Sequence, residues 1–187
     1  MENLKVLGIS GSLRRDSYNR KALQVAKKIA TDLGAEVSEI DLKELNLPIY
    51  DGDIEALGLP ENVRQFKSAV EASDVILIAS PEYNYSISGA LKTALEWGSR
   101  GGGNSFDGKW AIIFGASPGL VGTLRGQFQL RQIFYDLNVL ALPQPQVFIR
   151  NAREAFDTDG TFKDLKTYEQ LKKLIQKTFE VVEKLKN

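Results

Sequence analysis

The chain has 187 residues, a length typical of one compact domain, and its hydrophobic content of 43% is too high for an intrinsically disordered chain. Lys+Arg and Asp+Glu are both 24, so the chain lacks the overall positive charge that attracts nucleic acid or an anionic membrane. The sequence contains no cysteine and no histidine, which excludes disulfides, thiolate zinc sites, Ser-His-Asp triads and imidazole bases.

These exclusions leave few groups that can carry catalysis. Carboxylates, lysines, hydroxyls and carboxylate-held Mg²⁺ remain, but a bound cofactor with its own chemistry is the simplest solution. The sequence begins with neither the basic stretch nor the apolar region of a secretory signal, and no segment reaches about 18 consecutive apolar residues. We therefore expect a cytoplasmic protein without a nucleic-acid or membrane partner.

Apolar runs alternate with helical patterns along the whole chain. We predict strands at residues 4–9, 36–40, 75–79, 110–114 and 139–142, the last continuing as an irregular tail over residues 143–150. Between them the pattern predicts helices from Ser17 or Asn19 to Leu33, and over residues 60–72, 90–97 and 123–137. Residues 46–53 are read as irregular. A final helix has one apolar face, made of Leu165, Tyr168, Leu171, Ile175, Phe179, Val182 and Leu185.

This alternation predicts an α/β fold with a doubly wound, five-stranded parallel sheet and helices on both faces. The expected strand order is 2-1-3-4-5, in which ligands bind beyond the carboxyl ends of the strands. Three polar segments meet at that edge: the serine loop (residues 10–19), the ring loop (residues 80–88) and the β4 loop (residues 115–123).

The serine loop has the composition of a phosphate site. It joins a helix N-terminus to polar side chains that bind anions, namely Ser10, Ser12, Arg14, Ser17 and Asn19. Neither the dinucleotide pattern G-x-G-x-x-G nor the P-loop pattern is present. Hydroxyls in place of glycines favour a terminal phosphate, as in FMN. The alternative is that Ser and Asn cap a helix while the arginines are solvated.

The ring loop places tyrosines and an asparagine at the end of the third strand. Its sequence, Ser80-Pro81-Glu82-Tyr83-Asn84-Tyr85-Ser86, offers aromatic surface and backbone amides to a flat heterocycle. A purely structural turn is the other interpretation. Asp41, at the end of the second strand, resembles a ribose-binding acid but is better explained as a turn residue.

At this point the chain resembles the flavodoxin-like NADPH-dependent FMN reductase family, which includes soluble quinone, chromate and azo-compound reductases. The resemblance covers most of the chain. It rests on Gly11-Ser12-Leu13-Arg14 with Ser17 and Asn19, on residues 81–86 continuing to Trp97 and Arg100, and on Gly115-Ala116-Ser117-Pro118-Gly119 with Gly122 and Arg125.

The resemblance implies a single FMN-binding domain over residues 1–187, with NADPH or NADH as cosubstrate. It assigns the FMN phosphate to Ser10, Ser12, Arg14, Ser17 and Asn19, the ring to Pro81, Glu82, Tyr83 and Asn84, and the pyrimidine edge to Ser117 and Gly119. No side chain is assigned as a catalyst, because the flavin N5 carries the hydride, and no metal is expected. Arg15 and Arg100 are possible contacts to a 2′-phosphate.

The same resemblance implies a homodimer or homotetramer. Tyr50, Asp51, Tyr85 and Trp97 are then candidates for the subunit interface, with a buried core position as the alternative for Trp97.

Two other functions compete with an FMN-dependent NAD(P)H oxidoreductase that reduces quinones, flavins, azo compounds or metal oxyanions. One is a flavodoxin-type electron carrier without its own NAD(P)H reactivity, although such carriers present a strongly acidic face that this balanced composition does not suggest. The other is a phosphate-ligand enzyme that uses Asp51 and Asp53 for Mg²⁺.

Overall fold

A computed structural model describes residues 4–186 of the chain. Met1, Glu2 and Asn3, which belong to the N-terminal stretch that was examined above for a secretory signal, lie outside the described residues. The sheet has five parallel strands in the order β2-β1-β3-β4-β5, as predicted. The strands are β1 (Lys5–Ser10), β2 (Glu36–Ile40), β3 (Val75–Ala79), β4 (Trp110–Ala116) and β5 (Val147–Ile149).

Seven helices connect or flank these strands within residues 4–186. They are α1 (Tyr18–Asp32), α2 (Leu42–Leu45), α3 (Gly52–Ala56), α4 (Glu61–Glu71), α5 (Gly89–Gly98), α6 (Leu124–Asp136) and α7 (Leu165–Lys186). The predicted long helices are confirmed to within a residue or two, and Ser17 caps α1 as expected. The short helices α2 and α3 were not predicted, because four or five residues are too few to show a helical period.

The central strand β3 lies in the middle of the sheet and is covered by helices on both faces. All five of its residues are buried, and it pairs with β1 on one side and β4 on the other. One core cluster joins Leu77 to α1 and α7, while the other joins Ile78 to α4 and α5. A strand buried on both faces must be apolar throughout, as its sequence is.

The predicted fifth strand at residues 139–142 is wrong. Leu140 forms only an isolated bridge with Trp110 at the start of β4, and the fifth strand is β5, Val147–Ile149, within the segment predicted as irregular. Pro143 and Pro145 lie between the bridge and β5. Because proline has no N–H to donate to a ladder, continuous pairing resumes only after both prolines.

The structure also decides two expectations about apolar side chains, of which the core alternative for Trp97 is confirmed. Trp97 is fully buried and its Nε1 donates to the Pro48 carbonyl at 2.7 Å, so it is a core residue and not a subunit contact. In α7, Leu171, Ile175, Phe179 and Val182 are buried as predicted. Leu165 and Leu185 are mostly exposed, because they lie at the two ends of the helix. No helix among residues 4–186 is long and apolar enough to cross a membrane.

Candidate functional site

The serine loop presents a dense set of hydrogen-bond donors. Among residues 4–186, the backbone N–H groups of Leu13, Arg15, Asp16, Ser17 and Tyr18 meet no acceptor. They include the first N–H groups of α1, where the helix dipole also favours an anion. Such a row of N–H groups is suited to binding a phosphate.

The three serines of this loop add hydroxyl donors. Ser10, Ser12 and Ser17 are all buried, with exposed fractions of 6%, 2% and 3%. Each Oγ accepts a hydrogen bond from a backbone N–H two residues further on, in Ser12, Arg14 and Asn19 respectively. Because these hydroxyls act as acceptors within the loop, each keeps its own proton available for an anionic ligand.

The three arginines in and next to this loop have different environments. Arg20 of α1 forms two hydrogen bonds of 2.6 Å with the carboxylate of Asp41, which raise the pKa of the arginine and lower the pKa of the acid. Asp41 also caps α2, accepting from the Lys43 N–H at 2.8 Å. Arg14 is exposed and has no ion pair among residues 4–186. Arg15 is likewise exposed and without an ion pair among residues 4–186, so both loop arginines are available to an anion, but only Arg14 lines the groove described below.

A first contact joins the serine loop to the ring loop. The Ser88 hydroxyl donates to the Gly11 carbonyl at 2.5 Å and accepts from the Leu91 N–H, which also caps α5. A Cβ at Gly11 would lie 2.9 Å from Cδ of Pro81, so glycine permits the close approach of the two loops. The sequence patterns did not single out Ser88, although a serine just before a helical pattern is a typical N-cap signal.

A second contact joins the serine loop to the end of β4. The Asn19 side chain donates from Nδ2 to the Ala116 carbonyl at 3.0 Å and accepts at Oδ1 from the Ala116 N–H at 2.9 Å. This reciprocal pair is buried. The contacts of Asn19 in the structure are thus with the protein backbone, and its assignment to phosphate stays a prediction.

A third contact joins the ring loop to α6. Glu82 Oε2 accepts from the N–H groups of Arg125 and Gly126 at 2.9 and 3.1 Å, in the first turn of the helix. The Glu82 side chain is 12% exposed, and Thr123, the residue before the helix, supplies no side-chain cap of its own. Glu82 therefore acts as the N-terminal cap of α6, and its expected place along the ring stays a prediction.

The ring loop itself is a tight turn. Tyr83 and Ser86 exchange backbone hydrogen bonds of 2.9 and 3.0 Å, and Asn84 and Tyr85 between them have φ angles of 50° and 69°. Positive φ at both central positions defines a type I′ turn. Both tyrosines are exposed, Tyr85 at 64% and Tyr83 at 47%, but the Arg125 guanidinium lies 3.9 Å from the Tyr85 ring centroid and only Tyr83 lines the groove described below. Tyr83 is thus the tyrosine free to present its ring.

The β4 loop contributes further N–H donors. Ser117 donates its backbone N–H to the Ile149 carbonyl, and the Gly119 carbonyl accepts from the Asn151 N–H. The β4 loop is therefore anchored to the end of β5 and the residues that follow it. Among residues 4–186, the N–H groups from Gly119 to Gly122 meet no acceptor. Gly119 is one of these free donors whereas the Ser117 N–H is already bonded, and the assignment of both residues to the polar edge of a heterocycle stays a prediction.

The serine loop, the ring loop and the first turn of α5 line an open groove of about 420 Å³. Its walls are Gly11, Leu13, Arg14, Lys43, Tyr83, Ser88, Gly89 and Ala90. The groove places the free guanidinium and the exposed tyrosine in one space, and the donors of the serine loop fit a phosphate monoester. Within residues 4–186 no group of three or more acidic side chains is suited to a metal, and Asp51 caps α3.

The cap of α6 gives a direct prediction. Glu82→Gln keeps the side-chain shape but removes the charge, so one N–H of the first turn is left poorly satisfied. We expect the free energy of unfolding at pH 7 to fall by about 1 to 2 kcal/mol, measured by urea denaturation. Glu180→Gln, at an exposed position of α7, is the control and should change it by less than about 0.5 kcal/mol. Equal effects of the two substitutions would contradict the capping role.

Comparisons with known proteins agree with this geometry. Residues 4–154 match the profile of a family described as NADPH-dependent FMN reductase. Among solved structures, the flavoenzyme FerB, an NAD(P)H:(acceptor) oxidoreductase from Paracoccus denitrificans, is 33% identical, and the match covers 98% of both chains with a TM-score of 0.84.

Curated relatives extend the same comparison. An NAD(P)H-dependent FMN reductase of Pseudomonas aeruginosa is 43% identical over 94% of this chain and 93% of its own length. A 2-hydroxy-1,4-benzoquinone reductase of a Burkholderia species is 34% identical, covering 93% of both chains. With a family profile that spans most of the sequence and relatives of this identity and coverage, the chain belongs to the NADPH-dependent FMN reductase family.

Proposed function

We propose that this protein binds FMN at the carboxyl edge of its sheet and catalyses electron transfer from NAD(P)H to small acceptors. Bound FMN supplies the redox chemistry, since its ring takes up hydride and releases an electron pair to a quinone, flavin, azo compound or metal oxyanion. The observation that carries the proposal is that the serine loop combines a row of free N–H groups with Arg14, which lines one groove together with the exposed Tyr83.

The residues divide into phosphate and ring contacts. We assign the FMN phosphate to Ser10, Ser12, Arg14 and Ser17, together with the free N–H groups of the serine loop. Asn19 is assigned to the same site, and its side chain also ties the serine loop to the end of β4 through the backbone of Ala116. Pro81, Glu82, Tyr83 and Asn84 shape the ring site, and Ser117 and Gly119 lie along the pyrimidine edge.

The protein acts by positioning and by charge stabilisation. The free N–H dipoles of residues 119–122 would stabilise negative charge that develops on a bound flavin ring. No histidine or cysteine exists to move a proton, so we assign no side chain as an acid or base. A flavin held in an open groove leaves one face accessible to donor and acceptor in turn.

Quinones are the acceptors that we propose first. Relatives in Burkholderia and potato are a 2-hydroxy-1,4-benzoquinone reductase and an NAD(P)H:quinone oxidoreductase. The balanced charge of 24 basic and 24 acidic residues gives no support to an electron carrier that docks on a basic protein partner. We further propose that residues 1–187 form one FMN-binding domain, located in the cytoplasm where NAD(P)H is regenerated, without nucleic-acid or membrane partners.

Anaerobic reduction tests the function. When NADPH is added to the FMN-loaded protein without oxygen, the flavin band near ~450 nm should bleach at catalytic rates and return when benzoquinone is added. A flavin that stays oxidised with NADPH and NADH would instead support the electron-carrier alternative.

Phosphate recognition is tested by comparing FMN with riboflavin. Arg14→Ala removes the free guanidinium, so the Kd for FMN should rise about tenfold while the Kd for riboflavin, which has no phosphate, changes less than twofold. Fluorescence quenching of the flavin measures both constants. Arg153→Ala, at an exposed position near the start of the β5–α7 connection, is the matched control. An equal rise in Kd for FMN and riboflavin would contradict the assignment of Arg14 to the phosphate.

We also propose that the chain forms a homodimer or homotetramer. Phe128 and Tyr135, seven residues apart on one face of α6, are 54% and 91% exposed, and Leu120 in the β4 loop is 74% exposed. Large exposed apolar side chains of this kind are typical of a subunit contact. Tyr85, an expected interface residue, borders it through Arg125.

Light scattering coupled to gel filtration measures the mass. The unchanged chain should run as two or four copies, and the double variant Phe128→Glu, Tyr135→Glu should run as a smaller species because two charges are placed in the contact. Leu165→Glu, which changes an exposed leucine of α7, should leave the mass unaltered. A single-copy mass for the unchanged chain, or no shift in the double variant, would contradict the assignment.

A further inference from the structure

A second groove opens directly beside the cofactor groove. We call it the α2 groove. It measures about 520 Å³ and is lined by Leu13, Leu42, Lys43, Asn46, Leu47, Ile49, Gly89, Ala90, Lys92 and Thr93. Leu13, Lys43, Gly89 and Ala90 also line the cofactor groove, so the two form one continuous surface. A ligand whose reactive end lies by Tyr83 can therefore extend its other end into the α2 groove.

The charges in this groove single out one cation. Lys92 pairs with Glu96 at 2.5 Å, and Arg20 nearby is held by Asp41. Lys43 is exposed, and its ammonium has no ion pair among the described residues. Glu44, the next residue, does not line the groove. Since Arg14 is assigned to the FMN phosphate, Lys43 is left as the free positive charge at the junction of the two grooves.

The remaining lining is apolar with a few polar groups. Leu42, Leu47 and Ile49, the last 82% exposed, line the groove with apolar surface, while Asn46 and Thr93 supply hydrogen-bonding side chains. An apolar wall with few polar groups and a volume within about 300 to 1,000 Å³ is typical of small-molecule sites. A free ammonium beside such a wall is complementary to a ligand that joins an aromatic ring to a phosphate.

We infer that the α2 groove binds the adenosine end of the NAD(P)H cosubstrate and that Lys43 contacts its phosphates. The inference rests on the proposed function, since the hydride-donating nicotinamide must reach the ring site while the rest of the dinucleotide needs its own surface. Leu42, Leu47 and Ile49 contact the adenine, and Lys43 marks the point where the ligand turns from one groove into the other. Lys43 is a substrate-binding residue that takes no part in hydride transfer.

Lys43→Gln tests this assignment with three ligands. For NADPH we expect the KM to rise about three- to fivefold with kcat unchanged, as for loss of one solvent-exposed charge contact. The Kd of 2′,5′-ADP, measured by calorimetry on the FMN-loaded protein, should rise by the same factor. N-benzyl-1,4-dihydronicotinamide, a hydride donor without phosphate or adenosine, should be oxidised at the rate of the unchanged protein. The Kd for FMN should also stay the same.

Control variants separate the alternatives. Lys173→Gln removes one positive charge from an exposed site on α7 and should affect none of these quantities. Unchanged 2′,5′-ADP binding in Lys43→Gln would overturn the inference, as would an equal loss with the benzyl donor. Ile49→Glu tests whether a second copy of the chain covers the groove. A change of mass in this variant, with 2′,5′-ADP binding unaltered, would also overturn it.

The outcomes distinguish this inference from the proposed function. If the unchanged protein oxidises neither NADPH nor the benzyl donor, the proposed function itself fails. If it oxidises both and Lys43→Gln matches it with each donor, only the α2 groove assignment fails.

Discussion

The site depends on three side chains that hold three loops together before any ligand binds. Ser88 joins the ring loop to the serine loop, Asn19 joins the serine loop to β4, and Glu82 joins the ring loop to α6. Each contact satisfies backbone groups that would otherwise be unpaired at the end of a strand or the start of a helix. As a result the loops are held in one arrangement, which lowers the entropy cost of binding a cofactor.

This arrangement also decides which polar groups remain free. Asn19 and Glu82 use their side chains on the backbone, and Asp41 neutralises Arg20. The N–H groups of the serine and β4 loops, the serine hydroxyl protons and Arg14 remain available. The buried ammonium of Lys67 also satisfies backbone groups, since it donates to the carbonyls of Gly98, Arg100 and Gly103 at and after the end of α5. Burial lowers the pKa of Lys67.

The sequence was a good guide where one element determines its own structure. The apolar run of β3 predicted a central strand, which is confirmed. The serines after β1 predicted a phosphate loop, and its backbone N–H donors are free in the structure, although phosphate binding itself stays a prediction. The prediction was wrong where the structure of a segment depends on which distant segment it pairs with. Residues 139–142 have strand character, but Pro143 and Pro145 move the pairing to Val147. For Trp97 the sequence left an interface and a core position open, and only the packing of the folded chain shows that it lies in the core. The partners of Asn19 and Glu82 lie 97 and 43 residues away, beyond the reach of any local pattern.

The central claim is that FMN binds across the three loops with its phosphate in the serine loop. Amide hydrogen exchange, measured by mass spectrometry with and without FMN, tests this directly. The account predicts slower exchange in residues 10–19, 80–88 and 115–123 when FMN is bound, and riboflavin should slow the last two segments but leave residues 10–19 nearly unchanged. Protection by FMN confined to other segments, such as α7, with these three loops unaffected, would contradict the account.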